Sequence, residues 1–370
     1  MVIRTMMCAV LAVASLDADE AQSLRAQGPA GLQKFVEAHS KELARGDIRA
    51  REALDVICAQ YDCNASRLYW YTDLEAAKAR ARAEHKPILS LHLLGRLDEE
   101  LSCANSRFFR KLLYPDARVS AFLREHYVLH WKMVRPVPKV TIDFGDGRVL
   151  KRTITGNSIH YVLDDEGRPI DAIPGMVAPQ PFLAFISAAE ALAKELASLP
   201  PTKRESSLKQ WHRERLEQTL ASWEDDLRKL DRQAKLVSTN ADLRAGQLER
   251  ASEFRWPALA ALHRPEFALG PVAHLPTALE ASEIAATKAL SETPLLRQLR
   301  FLNTAVAEDS VRNEYQLHRR IHEWLSARQY VDVEKLNAHV YPELFLMPLD
   351  DPWYGLKPAS AYAGLDSDRS

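Results

Sequence analysis

Lys86-Pro87-Ile88-Leu89-Ser90-Leu91-His92-Leu93-Leu94-Gly95 contains a stop, a strand and a turn within ten residues. Proline cannot continue a helix, so whatever precedes it ends there. Residues 88–94 form a short apolar run bounded by proline and glycine, the pattern of a strand buried on both faces. Upstream, Leu68-Tyr69-Trp70-Tyr71 reads as a short aromatic strand. Thr72 and Asp73 can cap the segment Leu74 to His85, where Ala76, Ala77, Ala79, Ala81 and Ala83 favour helix. Strand, helix, strand is therefore the opening unit of an α/β domain.

Downstream, an acidic insertion from Arg96 to Leu101 leads to Ser102-Cys103-Ala104-Asn105-Ser106. A helix through Phe108, Phe109, Leu112 and Leu113 follows, and Pro115-Asp116 begins another, with Val119, Phe122 and Leu123 on its apolar face. Tyr127 to Trp131 reads as a strand. Gly145-Asp146-Gly147 between residues 140–144 and 149–154 is a hairpin signal, and Asp165-Glu166-Gly167 between 159–163 and 169–173 is a second. Pro181 to Leu199 reads as a closing amphipathic helix, and Pro200-Pro201 as a boundary.

The order of these segments resembles the thioredoxin-like superfamily. Tyr69-Trp70, Asp73-Leu74-Glu75-Ala76-Ala77, Lys86-Pro87-Ile88-Leu89, Phe122-Leu123 to Val128 and Asp165-Glu166-Gly167 stand where that pattern places them. The resemblance covers residues 67–199, about a third of the chain. It implies a central mixed sheet flanked by helices, with Cys103 at the active-site position. A mostly α-helical C-terminal region would follow. Three departures accompany it. Ser106 replaces the resolving cysteine, giving Cys-x-x-Ser. The insertion of about six residues separates the strand from Cys103. Counting back from Asp164 puts Ser158 at the family's cis-proline position. The hairpin at Val140 to Ile154 is an added elaboration.

A thiol at a helix N-terminus is acidified by unpaired amides. Cys103 is accordingly the candidate nucleophile, with Ser106 stabilising the thiolate and Ser158 lining the opposite wall. Glu99 and Glu100 would oppose that activation; Arg107 and Arg110 would favour it. A single thiol can form a mixed disulfide but needs an external thiol to resolve it. This leaves two functional readings. One is a monothiol redox or isomerase-like factor, an enzyme lacking its resolving cysteine. The other is a non-catalytic thioredoxin-fold scaffold acting through its C-terminal helices. The partner is then a protein, met through a mixed disulfide in the first reading.

Cys58 and Cys63 are five apart and suited to a disulfide. Arg4 followed by Met6 to Ala14 resembles a short secretory leader within residues 1–18, which implies a periplasmic or secreted protein; without it the location is cytoplasmic. Residues 19–66 are a helical lead-in. Residues 200–255 are a charged helical segment, with a connecting loop expected from Phe254 to His274. Residues 256–370 form a helical region, with an extended tail through Pro342, Pro348, Pro352 and Pro358 that covers an apolar groove of its own chain.

Lys+Arg of 49 against Asp+Glu of 50 argues against nucleic acid as a partner. No stretch reaches the roughly 18 apolar residues of a membrane span. His318 and His322 share a helix face with Glu314 nearby, and His339 follows. Arg319 occupies the position where zinc proteases need glutamate. The sequence therefore favours core histidines over a metal centre, and calls for no cofactor.

Overall fold

A computed structural model describes residues 18–154, 156–231, 241–263 and 299–355. The expected leader, with Cys8, lies outside them, as do residues 264–298 and the tail from Leu356 onward.

Four short helices open the chain: α1 (Ala18–Ala26), α2 (Pro29–Ala38), α3 (Ser40–Arg45) and α4 (Ile48–Cys58). They bury Leu32, Phe35, Leu43, Leu54 and Ile57 in a small core of their own. Asp47 caps α4 by accepting from the Ala50 amide at 2.9 Å. Arg25 fastens the bundle to the next element, donating to Ile57 O at 2.8 Å and Trp70 O at 3.1 Å. Gly31 lets α1 and α2 touch, since a Cβ there would fall 1.8 Å from the Leu24 carbonyl oxygen.

Next come β1 (Trp70–Tyr71), α5 (Leu74–Glu84) and β2 (Ile88–Leu94). Asp73 caps α5, accepting from the Ala76 amide at 2.7 Å. All of β2 is buried, the polar Ser90 and His92 included. α6 (Ala104–Phe108) passes into a π-helical turn over Phe109–Leu113. Asp116 then caps α7 (Ala117–His126), accepting from the amides of Arg118 and Val119. β3 (Val128–Arg135), the hairpin β4 (Lys139–Asp143) and β5 (Val149–Thr153), β6 (Ser158–Leu163) and β7 (Pro169–Pro174) complete the strands, and α8 (Pro179–Ser198) closes the α/β region.

The main sheet runs β1-β3-β2-β6-β7. β1, β3 and β2 are parallel; β6 pairs antiparallel to β2, and β7 pairs antiparallel to β6 and so returns to the first direction. β4 and β5 pair only with each other and project outward, exposing Val140, Ile142 and Phe144. Gly145 and Gly147 carry the positive φ angles of that turn, 73° and 88°.

The C-terminal region contains α9 (Pro201–Leu230), α10 (Ala241–Ser252), α11 (Trp256–His263) and α12 (Leu299–Arg312). A π-helical turn over Asn313–His318, α13 (Arg319–Ala327) and α14 (Val333–Glu343) follow. α9 is one long helix with a charged outer side, and it buries His212, Leu220, Trp223 and Leu227. Trp223 stacks on Tyr315, with ring centroids 5.4 Å apart and planes at 7°. One apolar core runs without interruption from Trp70 through the sheet to Met347.

Two expectations change. Trp256 to His263 is helix rather than loop. Pro257 occupies the first turn, where a missing N–H costs no helical bond, and Ala258 to Leu262 are strong helix formers. The tail is not extended from its start, because Tyr341, Pro342 and Glu343 complete α14. Pro342 sits in the last turn, so little helix is lost downstream of it.

Candidate functional site

Cys103 occupies the N-cap of α6, the place the sequence assigned to it. It is the free cysteine among the described residues and is fully buried. Burial raises its thiol above the ordinary value, outweighing the amides of Ser106 and Asn105, the Ser106 hydroxyl and the Arg107 guanidinium, which all favour thiolate. Glu99 and Glu100 are exposed. The Ser106 hydroxyl donates to Cys103 O at 2.9 Å and also contacts the Ser102 hydroxyl. Ser106 thus closes the first turn of α6 as well as lying near the sulfur.

Ser158 opens β6 and does lie opposite this turn: the Asn105 side-chain amide donates to its hydroxyl at 3.1 Å. The carboxamide oxygen of Asn105 is buried without a partner. Gly156 makes room for it, since a Cβ there would sit 2.9 Å from that oxygen. The space between Cys103 and β6 is therefore filled by the protein's own side chains. The C-terminal segment adds a cover. Asn157 reaches the Met347 sulfur at 3.8 Å. Buried Tyr341 lies close enough to Cys103 for the thiol's charge to add to the upward push of burial on its hydroxyl. Arg135 clamps the same segment, donating to Pro348 O at 3.2 Å and Asp351 O at 2.8 Å, with its guanidinium 3.8 Å from the Tyr354 ring centre.

Cys58 and Cys63 form a disulfide with Cα atoms 6.4 Å apart. The Asp55 carboxylate organises the loop between them, accepting from the amides of Asp62 and Cys63 at 2.9 and 2.8 Å. Burial still raises Asp55 to about 6. Arg110, fully buried, bridges this loop to the thiol turn: it reaches Asp62 at 3.3 Å, Glu100 O at 3.0 Å and the Ser102 hydroxyl at 3.1 Å.

Two polar clusters lie elsewhere. His318 and His322 do share a face, with ring centres 4.2 Å apart. Their neighbours are Asp171 of β7 and His212 of α9, neither of which stands out in the sequence. His318 Nε2 lies 3.1 Å from Asp171 Oδ1, and His212 Nδ1 lies 2.9 Å from His322 Nδ1. Burial would raise Asp171, but the facing imidazoles hold its carboxyl well below the usual range. Burial keeps His212 and His322 below theirs. Glu314 is exposed and lines a different cavity with Asp226 and His263. His339 is engaged by Arg328 at 2.7 Å and Glu343 at 2.6 Å, so neither Glu314 nor His339 joins the pair. Asp171 stands in an apolar strand, and His212 is more than 100 residues from His322, so spacing alone could not link them.

The second cluster centres on Asp226, which accepts from Tyr315 at 2.6 Å and Lys229 at 2.9 Å and contacts His263. Although burial opposes it, these partners lower Asp226 to about 2. A separate cavity opens between β7, α8, α9 and α13. Ile170, Leu208 and Leu325 line it, with Arg168, Arg204 and Arg328 also contributing.

Comparison of the chain with protein-family models, curated proteins and solved structures finds no match.

Proposed function

We propose that the chain is a thioredoxin-like binding module in which Cys103 is a structural sulfur, and that it works by contact rather than by thiol exchange. The strand order β1-β3-β2-β6-β7, in which β6 alone runs against the other four, supports the thioredoxin-like reading. So does the placement of Cys103 at the head of the helix after β2. The observation that carries the non-catalytic reading is the complete burial of that sulfur. A thiol attacks a disulfide only as an accessible thiolate. Here burial opposes ionisation, and Met347 of the C-terminal segment contacts Asn157, next to Ser158.

The Cys58–Cys63 disulfide supports a working life in an oxidising compartment such as the periplasm or the extracellular space. The working surface is then the C-terminal helical side, where the cavity beside Ile170 combines apolar walls with side chains of both charges, Asp164, Asp165 and Glu205 beside Arg168, Arg204 and Arg328. That chemistry suits a partner offering an apolar group with a polar rim.

Alkylation of the purified chain tests the reading. Cys103 is expected to react only after denaturation. A Cys103→Ala variant is expected to capture the same partners in pull-downs as the unaltered chain. Stoichiometric alkylation of the native protein, or partners recovered only as reducible adducts of Cys103, would establish the monothiol reading instead.

A further inference from the structure

Three separate elements converge on the buried cluster below α9. β7 brings Asp171, α9 brings His212 and α13 brings His322. One ligand atom from each lies within 4.8 Å of the other two, and all three residues are buried. His212 Nε2 lies 2.9 Å from Ile170 O. A carbonyl oxygen can only accept, so the proton of neutral His212 is on Nε2, and Nδ1 presents a bare lone pair to the cluster. His322 Nδ1 faces that lone pair at 2.9 Å and stands 4.0 Å from Asp171 Oδ1. His318 holds the carboxylate from the other side, with Nε2 3.1 Å and 3.3 Å from its two oxygens.

We propose that Asp171, His212 and His322 form a binding site for a divalent transition metal of the zinc class, with His318 positioning the carboxylate. Zinc–nitrogen bonds of roughly 2.0–2.1 Å at tetrahedral angles set ligand atoms about 3.3 Å apart. The separations of 2.9 and 4.0 Å bracket that value. The surroundings match those of a metal site: one imidazole is fixed by a backbone carbonyl, and the carboxylate is fixed by an outer imidazole. Two nitrogens and one carboxylate suit zinc better than calcium or magnesium, which prefer all-oxygen shells. The ion would tie α9 and α13 to the edge strand β7 and so fix the C-terminal helices on the sheet. Without a metal, the same geometry is a direct hydrogen bond from His322 Nδ1 to His212 Nδ1. The proposal does not depend on the role of Cys103.

The test measures metal content in the full chain purified from zinc-supplemented medium, then titrates the chelator-treated chain with zinc and with cobalt. The expected result is one equivalent of zinc per chain, a zinc-dependent rise in Tm, and a tetrahedral cobalt absorption band. Asp171→Asn and His322→Gln should each lose at least about 100-fold in zinc affinity. His318→Gln, acting through Asp171, should lose about 10- to 100-fold. His339→Ala, outside the cluster, should bind as the unaltered chain does. Absence of metal from the unaltered chain, with no response to zinc or cobalt, would overturn the proposal and leave the shared proton as the contact. Undiminished binding in Asp171→Asn and His322→Gln, or loss of binding in His339→Ala, would also overturn it by placing the ion elsewhere. Should a variant fail to fold, the zinc and cobalt titrations of the unaltered chain still decide the question.

Discussion

Mild acid should destabilise this protein strongly, and three histidines of the central sheet carry a large part of the effect. Burial pushes His92, His130 and His160 down to about 3 from an ordinary 6.5, with Lys132 adding to the effect at His92 and with His92 and Lys132 adding to it at His130. Each is therefore neutral in the folded chain, while the unfolded chain takes up a proton as pH falls below 6.5. Stability is fully present above that value and drains away down to about pH 3. At pH 5 the unfolded chain gains about 2 kcal/mol from each histidine, or about 6 kcal/mol from the three. Asp55 works in the opposite direction. Its folded value of about 6 exceeds the ordinary 3.8, so it favours the folded state as pH falls. That returns about 1.4 kcal/mol at pH 5. These four groups together cost about 5 kcal/mol between pH 8 and pH 5, with the buried His212 and His322 acting in the same direction, against a total of about 5–15 kcal/mol for a typical folded protein.

Urea titrations followed by tryptophan fluorescence at pH 8, 6 and 5 would measure this directly. His160→Gln separates the histidine term from general acid sensitivity. His160 bonds the Tyr114 hydroxyl at 2.7 Å and packs on Phe109 and Phe182, so the variant is expected to be less stable at pH 8. Its further loss on going to pH 5 should nonetheless shrink by about 2 kcal/mol. A stability that changes by less than about 1 kcal/mol across this window, or an unaltered pH slope in the variant, would refute the reasoning.

Opening the Cys58–Cys63 disulfide, by reduction or by a paired alanine substitution, should cost about 2 kcal/mol from the entropy of so short a loop; denaturant titration with and without reductant reads it. Asp116→Ala removes the acceptor of two amides at the start of α7 and should cost about 1 kcal/mol in the same titration. Gly31→Ala drives a methyl group into the Leu24 carbonyl and should cost more than about 2 kcal/mol, melting the N-terminal helices before the sheet in hydrogen exchange. Trp223→Ala empties the stack against Tyr315 and should cost about 3–5 kcal/mol.

Residues 88–94 were legible because a short, largely aliphatic run is bounded by Pro87 and Gly95, and the strand spans those residues. Both hairpins were legible from their glycine turns. α11 was not, because Trp256-Pro257 looks like a break until the proline is placed in a first turn. Of the histidine cluster, only the pair His318 and His322 could be read, since four residues make one helical turn. Asp171 and His212 arrive through tertiary packing, and a lone acid in an apolar strand was the available signal for the first. The sheet order follows from strand pairings far apart in sequence, which local patterning does not contain.

Cys103 shows how a motif's position can suggest a chemistry that its surroundings oppose. The residue does sit at a helix N-terminus, and local groups do favour its thiolate. The magnitudes decide the outcome. A helix N-terminus stabilises an adjacent negative charge by about 0.3–1 kcal/mol at exposed sites and up to about 2 kcal/mol when partly buried. Full burial can raise the pKa of an acid by several units at about 1.4 kcal/mol each. The field at α6 therefore does not offset the loss of water around the fully buried sulfur. Motif position reports the first of these quantities and is silent on the second. Chain from more than 180 residues away, reaching Asn157 through Met347, helps to supply the cover. The four residues of the Cys-x-x-Ser stretch thus locate a helix, while the full burial of the sulfur is what opposes its ionisation.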